Sequence, residues 1–235
     1  AVWQGNLRPL LADAHSWQGT QAMGRGDATT ALAAYRAAST GQPGRAVYWV
    51  ALGLTAAQLG EFAEAEAALK QASALRPTDP VPYTQLAALY GRWANTAPER
   101  LHQAYAAYER AIALAPTIGL SFQQYADLAL RVGDSASALR LAQRAVDLDA
   151  TDGTAFGILG WAEMEAGHLA AAQTAFVQAV KWQPNSADYH LGLAIAHFQQ
   201  DNFDEARQAL QRSLLLDPTY EPALTEQLQQ ALRAQ

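Results

Sequence analysis

An all-α fold of six stacked helical hairpins, an α-solenoid, is predicted by the punctuation of this chain. Pro43, Pro77, Pro116, Ala150, Pro184 and Pro218 are separated by 34, 39, 34, 34 and 34 residues. Gly26, Gly60, Gly133 and Gly167 form a second series at a fixed offset before those marks, and both series place one five-residue insertion between Gly60 and Pro116. Composition is the third observation: half of the residues are hydrophobic and only 16% are charged. That balance suits hairpins that bury their apolar faces only against neighbours.

In chain order, the period gives a lead-in segment over residues 1–11, six repeats over 12–220 and a capping helix over 221–235. The repeats run 12–45, 46–79, 80–118, 119–152, 153–186 and 187–220. Within a hairpin two helices approach closely only where side chains are small, so Gly53 against Ala65, and Gly160 against Ala172, are expected at the crossing points. The glycines before the second helices accept the left-handed backbone that a helix C-terminus commonly needs, and Pro77 and Pro218 lack the amide hydrogen of a continuing helix. In the third repeat the first helix is expected from about Val81 to Trp93. Thr96-Ala97-Pro98-Glu99 then reads as a capping box that restarts the chain after the insertion. The fourth repeat is the most degenerate, with Ala142 where its neighbours carry Tyr108 and Phe176. Leu224, Leu228 and Leu232 give the last helix one apolar stripe, suited to covering the final hairpin.

Gly19, Ala31, Tyr35, Ala38 and Pro43 open a pattern of small, large and proline positions. Leu52, Gly53, Ala65, Leu69, Ala72 and Pro77, and later Leu159, Gly160, Ala172, Phe176, Ala179 and Pro184, repeat it. With its period of 34, this pattern resembles the tetratricopeptide-repeat (TPR) family. The resemblance implies a right-handed superhelix in which the first helix of each repeat lines a concave groove. Mapping the family's groove positions gives Val47, Val50, Leu54, Val81, Leu130, Trp161, Met164, Leu191, Ile195 and Phe198, with Ser16, Thr20 and Met23 opening the series. The lining is apolar, which implies a protein or peptide partner that is itself apolar or amphipathic. Chaperone-binding members clamp a carboxylate with Lys, Arg and Asn. Val50, Leu54, Thr84 and Ala88 stand at those positions here, so that clamp is absent.

Other chemistries find no foothold in the sequence. No nucleophile elbow, phosphate loop or His-Glu-x-x-His is present, so no enzyme, catalytic residue or cofactor is expected. Asp147, Asp149, Asp152 and Gly153 do not alternate as a calcium loop requires, and His190 and His197, seven apart, read as packing instead of a metal site. The absence of cysteine removes disulfides and thiolate ligands and leaves the compartment open. Net charge is −6, and residues 119–235 carry 14 acidic against 7 basic side chains. With no basic stripe, nucleic acid is not an expected partner. No run of ~18 apolar residues marks a membrane span, so the chain is not expected to insert by itself.

Asn6-Leu7-Arg8-Pro9, Leu75-Arg76-Pro77-Thr78-Asp79 and Leu86-Ala87-Ala88-Leu89-Tyr90 with Trp93-Ala94 carry a second, shorter likeness. They resemble the soluble tail of bacterial O-antigen polymerase or ligase family membrane proteins, and Trp3 and Arg8 would suit the edge of a preceding span. Two functions follow: a non-catalytic scaffold that binds a segment in its groove, or a scaffold domain tethered to a glycan-assembly enzyme. Homo-oligomers through the groove or the end helix are a further expectation.

Overall fold

In a computed structural model, which describes residues 7–233, the chain forms α1 (Leu7–Gly24), α2 (Ala28–Gly41), α3 (Ala46–Gln58), α4 (Phe62–Leu75), α5 (Pro80–Trp93), α6 (Leu101–Leu114), α7 (Gly119–Arg131), α8 (Ser135–Leu148), α9 (Gly153–Glu165), α10 (Leu169–Trp182), α11 (Ala187–Phe198), α12 (Phe203–Leu216) and α13 (Pro222–Arg233). No strand occurs among the described residues. The all-α, hairpin-based solenoid class read from the sequence is therefore the one observed. The helices divide into two compact bodies, Ala1–Pro116 and Thr117–Gln235. In the first, α1/α2, α3/α4 and α5/α6 are hairpins joined through α2–α3 and α4–α5 packing. In the second, α7/α8, α9/α10 and α11/α12 are hairpins joined through α8–α9 and α10–α11, and α13 closes the series against α11 and α12.

The turns are built as the glycine series implies. Gly26, Gly60, Gly133 and Gly167 have φ between 77° and 80°. Around Gly26, its own amide bonds to Met23 O and that of Asp27 to Ala22 O, which satisfies the last carbonyls of α1. The same pair of bonds recurs at Asp201 and Asn202, where Asp201 holds φ 59° without being glycine. The proline marks end the second helices, and the preceding residue has left the helical region, as at Gln42 (φ −140°, ψ 77°) and Arg76 (φ −135°, ψ 75°). At Ala150 the turn forms without proline, and Asp149 Oδ1 accepts from both the amide and hydroxyl of Thr151, at 2.9 and 2.7 Å. Asp217 makes the same pair of bonds to Thr219 around Pro218, so this side-chain turn is shared by both marks.

Three expectations change. Helix α1 starts at Leu7, inside the stretch read as lead-in, because Pro9 lies in its first turn, where no intrahelical amide donor is needed. The capping box after the insertion is not made: a single 3-10 turn, Pro98–Arg100, precedes α6 with no side-chain cap bond, and Thr96 Oγ1 donates back to Trp93 O at 3.2 Å. Gly53 does approach Ala65, whose carbonyl oxygen would lie 3.2 Å from an added Cβ, but the tightest approach inside the hairpins is glycine against the large side chain of the second helix. A Cβ on Gly53 would lie 2.6 Å from Leu69 Cγ, and one on Gly160 would lie 2.7 Å from Phe176 Cε1. Phe176 is fully buried, and its other side faces Gly192 of α11. In the fourth repeat Ala142 is buried, and Leu141 and Val146 are buried beside it.

Candidate peptide-binding face

In the first body the mapped positions divide by depth. Val47, Leu54 and Val81 are exposed at 60%, 44% and 48% of their surface, and Val50 is half-buried. Val47, Val50 and Leu54 are spaced three and four apart, so they share one face of α3. On α5 the corresponding face continues from Val81 to a half-buried Ala88, while Thr84 is buried. Helix α1 contributes polar groups: Thr20 Oγ1 bonds Ser16 O at 3.1 Å and lies 3.2 Å from Tyr35 Oη.

The second body uses most of the same series to hold itself together. Leu191 is fully buried, packed with Ala194, Ala206, Leu210, Leu228 and Leu232, so it is a core residue and not a groove contact. Ile195 and Phe198 pack, partly buried, against that cluster, and the Phe198 ring lies 5.7 Å from Phe203. Trp161 and Met164 lie against the Phe176 cluster, with the Trp161 ring edge-on to Phe176 at 5.1 Å. Trp161 Nε1 donates to Asp188 Oδ1 at 3.2 Å, and Tyr220 Oη donates to the same carboxylate at 2.8 Å. Burial, then the bond to Asp188, pushes the Tyr220 phenol up. Leu130 is half-buried beside Ala129, Ala138 and Ala162. The end helix covers α12: Leu228 and Leu232 are buried, and Arg207 Nη2 donates to Leu232 O at 2.8 Å.

The insertion forms a cluster of its own. Trp93 stacks on Phe62 at 5.5 Å, and the Arg100 guanidinium lies 4.0 Å from a Trp93 ring centroid. Beneath it, Glu66 accepts from Lys70 Nζ at 2.6 Å, Tyr90 Oη at 2.9 Å and Arg100 Nη1 at 3.4 Å. Burial opposes ionisation of Glu66, but these donors outweigh it and hold the carboxyl below its ordinary range. Burial and the bond to Glu66 raise the Tyr90 phenol. The sequence located Trp93 but not Phe62, Glu66 or Arg100, because their meeting depends on the register of neighbouring hairpins. Asp188 and Tyr220, 32 residues apart, escaped for the same reason.

Position four of the repeat also has a role the sequence hid. Trp49 Nε1 donates to Pro43 O at 2.8 Å, Tyr83 Oη to Pro77 O at 3.4 Å, and His190 Nε2 lies 3.0 Å from Pro184 O. The ring thus caps a carbonyl of the turn it follows, and His190 is engaged there. Asp152 caps α9 through the amide of Thr154 at 2.8 Å. No metal-holding group of three His, Cys, Asp or Glu occurs among the described residues. None of the described helices is long and apolar enough to cross a membrane. Trp3 lies outside the described residues.

A sequence model of the tetratricopeptide repeat matches residues 18–80 and 158–221, more than half of the chain. The chain belongs to the tetratricopeptide-repeat family. The stretch between the matches contains the insertion and the degenerate fourth repeat, where the TPR pattern is weakest. No curated protein sequence matches. Among solved structures, the type IV pilus biogenesis factor PilW aligns with a TM-score of 0.74 at 18% identity, covering 89% of this chain and 95% of its own. Cut9, from the APC/C Cut9–Hcn1 hetero-tetramer, aligns with a TM-score of 0.72 at 20% identity over 97% of this chain. This chain spans 46% of the Cut9 chain. YrrB, described as a TPR protein with an unusual peptide-binding site, aligns with a TM-score of 0.62 at 19% identity, over 83% of this chain and 97% of its own. These likenesses establish the TPR fold. Neither they nor the family match support the O-antigen polymerase or ligase resemblance.

Proposed function

We propose that this TPR chain is a non-catalytic scaffold that holds an apolar or amphipathic protein segment against the first helices of its repeats, centred on Val47, Leu54 and Val81. The observation that carries this reading is their exposure, 60%, 44% and 48%, on helices whose opposite faces are buried. Half-buried Val50 sits between them. In the second body, Leu130, Met164 and Ile195 present only part of their surface, so they play a secondary role. Trp161 is withdrawn as an anchor, since its ring supports Phe176 and its N–H is committed to Asp188.

The test is a panel of amphipathic helical and extended peptides, titrated against wild type and against Leu54→Glu and Val81→Glu. Loss of an apolar contact worth about 1.4 kcal/mol weakens binding about tenfold. Each variant should bind at least that much more weakly while melting within a degree or two of wild type. Trp161→Glu should instead lower the melting temperature. Unaltered peptide binding by a folded Val47→Glu/Leu54→Glu/Val81→Glu variant would transfer the function to another face. A tether to a glycan-assembly enzyme has only the short sequence words in its favour, and no structural feature adds to them.

A further inference from the structure

We infer that the seam between α12 and α13 is a binding site for a small amphipathic carboxylate, an acid with a medium-length apolar body. A cleft of about 350 Å³ runs along this seam. Leu210, Leu214 and Leu232 form its apolar surface, and Arg207 and Arg233 are its charged groups. Among the described residues, no acidic side chain lines it. Every seam in the chain joins the second helix of one hairpin to the first helix that follows, so α12 and α13 supply both walls of this one.

The sequence explains why this seam stays open. One repeat earlier, the seam between α10 and α11 is filled by Phe176, fully buried and packed with Ala196. It is tied by Gln200 Nε2, which donates to Gln173 Oε1 at 3.1 Å. Advancing 34 residues along the second helix puts Leu210 in place of Phe176 and Arg207 in place of Gln173. A ring is lost, and an amide becomes a guanidinium. The charged side chain that α13 brings to the cleft is Arg233, so a bonded pair of amides gives way to two like charges, one on each wall. Asp204 Oδ1 accepts from Arg207 Nη1 at 2.8 Å, but its side chain is 85% exposed and lies outside the cleft, where solvent weakens the pair.

Two guanidiniums across an apolar cleft call for an anion between them. A carboxylate suits, because its two oxygens match the planar fork of arginine, and Arg207 keeps three of five N–H donors beyond those given to Asp204 and Leu232 O. The leucines set the rest of the ligand. At the ~30 Å³ that a water-sized unit occupies, the cleft has room for roughly ten non-hydrogen atoms, the size of octanoate. Inorganic phosphate would leave the leucines uncovered, and a neutral hydrocarbon would leave the arginines uncompensated. Arg207 already holds α13 through Leu232 O, so an acid seated on it also fastens α13 to α12. The helices of this site are not those of the Val47, Leu54 and Val81 face, and either can function without the other.

Nuclear magnetic resonance titration of the whole chain with octanoate, butyrate, octanol and octylammonium, all below micelle formation, tests the site. Octanoate should bind about tenfold or more tightly than each of the others, since butyrate lacks the apolar body, octanol the charge and octylammonium its sign. Its amide shifts should centre on residues 204–214 and 226–233. Arg233→Gln, which alters an exposed side chain, should weaken octanoate binding about tenfold or more at an unchanged melting temperature. Leu210→Phe, which restores the ring of the preceding seam, should abolish binding in a folded chain. Absence of octanoate binding, equal affinity for octanoate and octanol, or full affinity in Arg233→Gln or in a folded Leu210→Phe overturns the inference. So do shifts centred on α3 and α5, which would assign the acid to the apolar face instead.

Discussion

Gly192→Ala is expected to change sign with the residue at 176. A methyl on Gly192 would lie 2.5 Å from both Cε1 and Cζ of Phe176, a ring that is fully buried and that also fills the space where a Cβ on Gly160 would stand. Overpacking of a tight core costs about 1–3 kcal/mol, whereas alanine in place of a helical glycine gains about 0.8–1.0 kcal/mol. The net effect in wild type is a loss of up to ~2 kcal/mol. Phe176→Ala alone removes a fully buried ring, at a cost of about 3–5 kcal/mol. In that background the methyl meets open space, and Gly192→Ala should recover close to 1 kcal/mol. The double-mutant cycle therefore carries a coupling of about 1–3 kcal/mol, the overpacking itself. Urea unfolding of the four proteins, followed by circular dichroism and by amide exchange over residues 187–198, measures it. Equal stabilisation by Gly192→Ala in both backgrounds would refute the wedge of Phe176 between two glycines.

Asp201→Gly should raise stability by roughly 0.5–1 kcal/mol, read from the urea midpoint, because φ 59° strains a side chain that its glycine counterparts lack. Asp27 is held at a pKa of about 2 by hydrogen bonds from Thr30, then Thr29, at the start of α2. A depressed carboxyl contributes stability above its unfolded pKa and loses it as pH falls through the folded one. Melting temperature should thus decline between about pH 4 and pH 2, and Asp27→Asn, which caps without titrating, should flatten that part of the curve. Glu66→Gln should bring the Tyr90 phenol partway back toward its ordinary range, leaving the part due to burial. Nuclear magnetic resonance titration of ring-labelled tyrosine reads that shift.

The turns were legible because they rest on single residues with special backbones. A glycine with positive φ or a proline after a helix announces itself at a fixed period, and all four glycines of the series take that conformation. Asp201 shows the limit: the same turn closes without glycine, so the mark is missing though the geometry is present. The start of α1 was placed late because Pro9 looks like a stop, yet within a first turn proline costs nothing. Depth along the first helices was the least legible quantity. Such a helix packs on two sides, so an apolar residue at the mapped spacing is equally suited to groove or core, and Leu191 proved to be core while Val47 proved open. Only the three-dimensional neighbours, α13 among them, decide which.

The two bodies fasten their hairpins with different chemistry, and ionic strength therefore discriminates between them. In the first, Arg36 of α2 reaches Glu61 and Glu64 at the start of α4, at 2.9 and 2.5 Å, Arg45 reaches Asp13, and Arg100 reaches Glu66. The ties of Arg36 and Arg45 are largely solvent-facing, so dissolved ions screen them, whereas that of Arg100 to Glu66 is mostly buried and is screened less. Among the described residues of the second body, the ion pairs are local, Arg131 with Asp127, His168 with Glu163 and Arg207 with Asp204. There the longer ties are hydrogen bonds with at most one charged partner, such as Ser213 Oγ to Ala187 O and Trp161 to Asp188. Added salt should loosen residues 7–116 while leaving residues 117–233 nearly untouched, which makes a neutral additive a dial on half of one continuous chain.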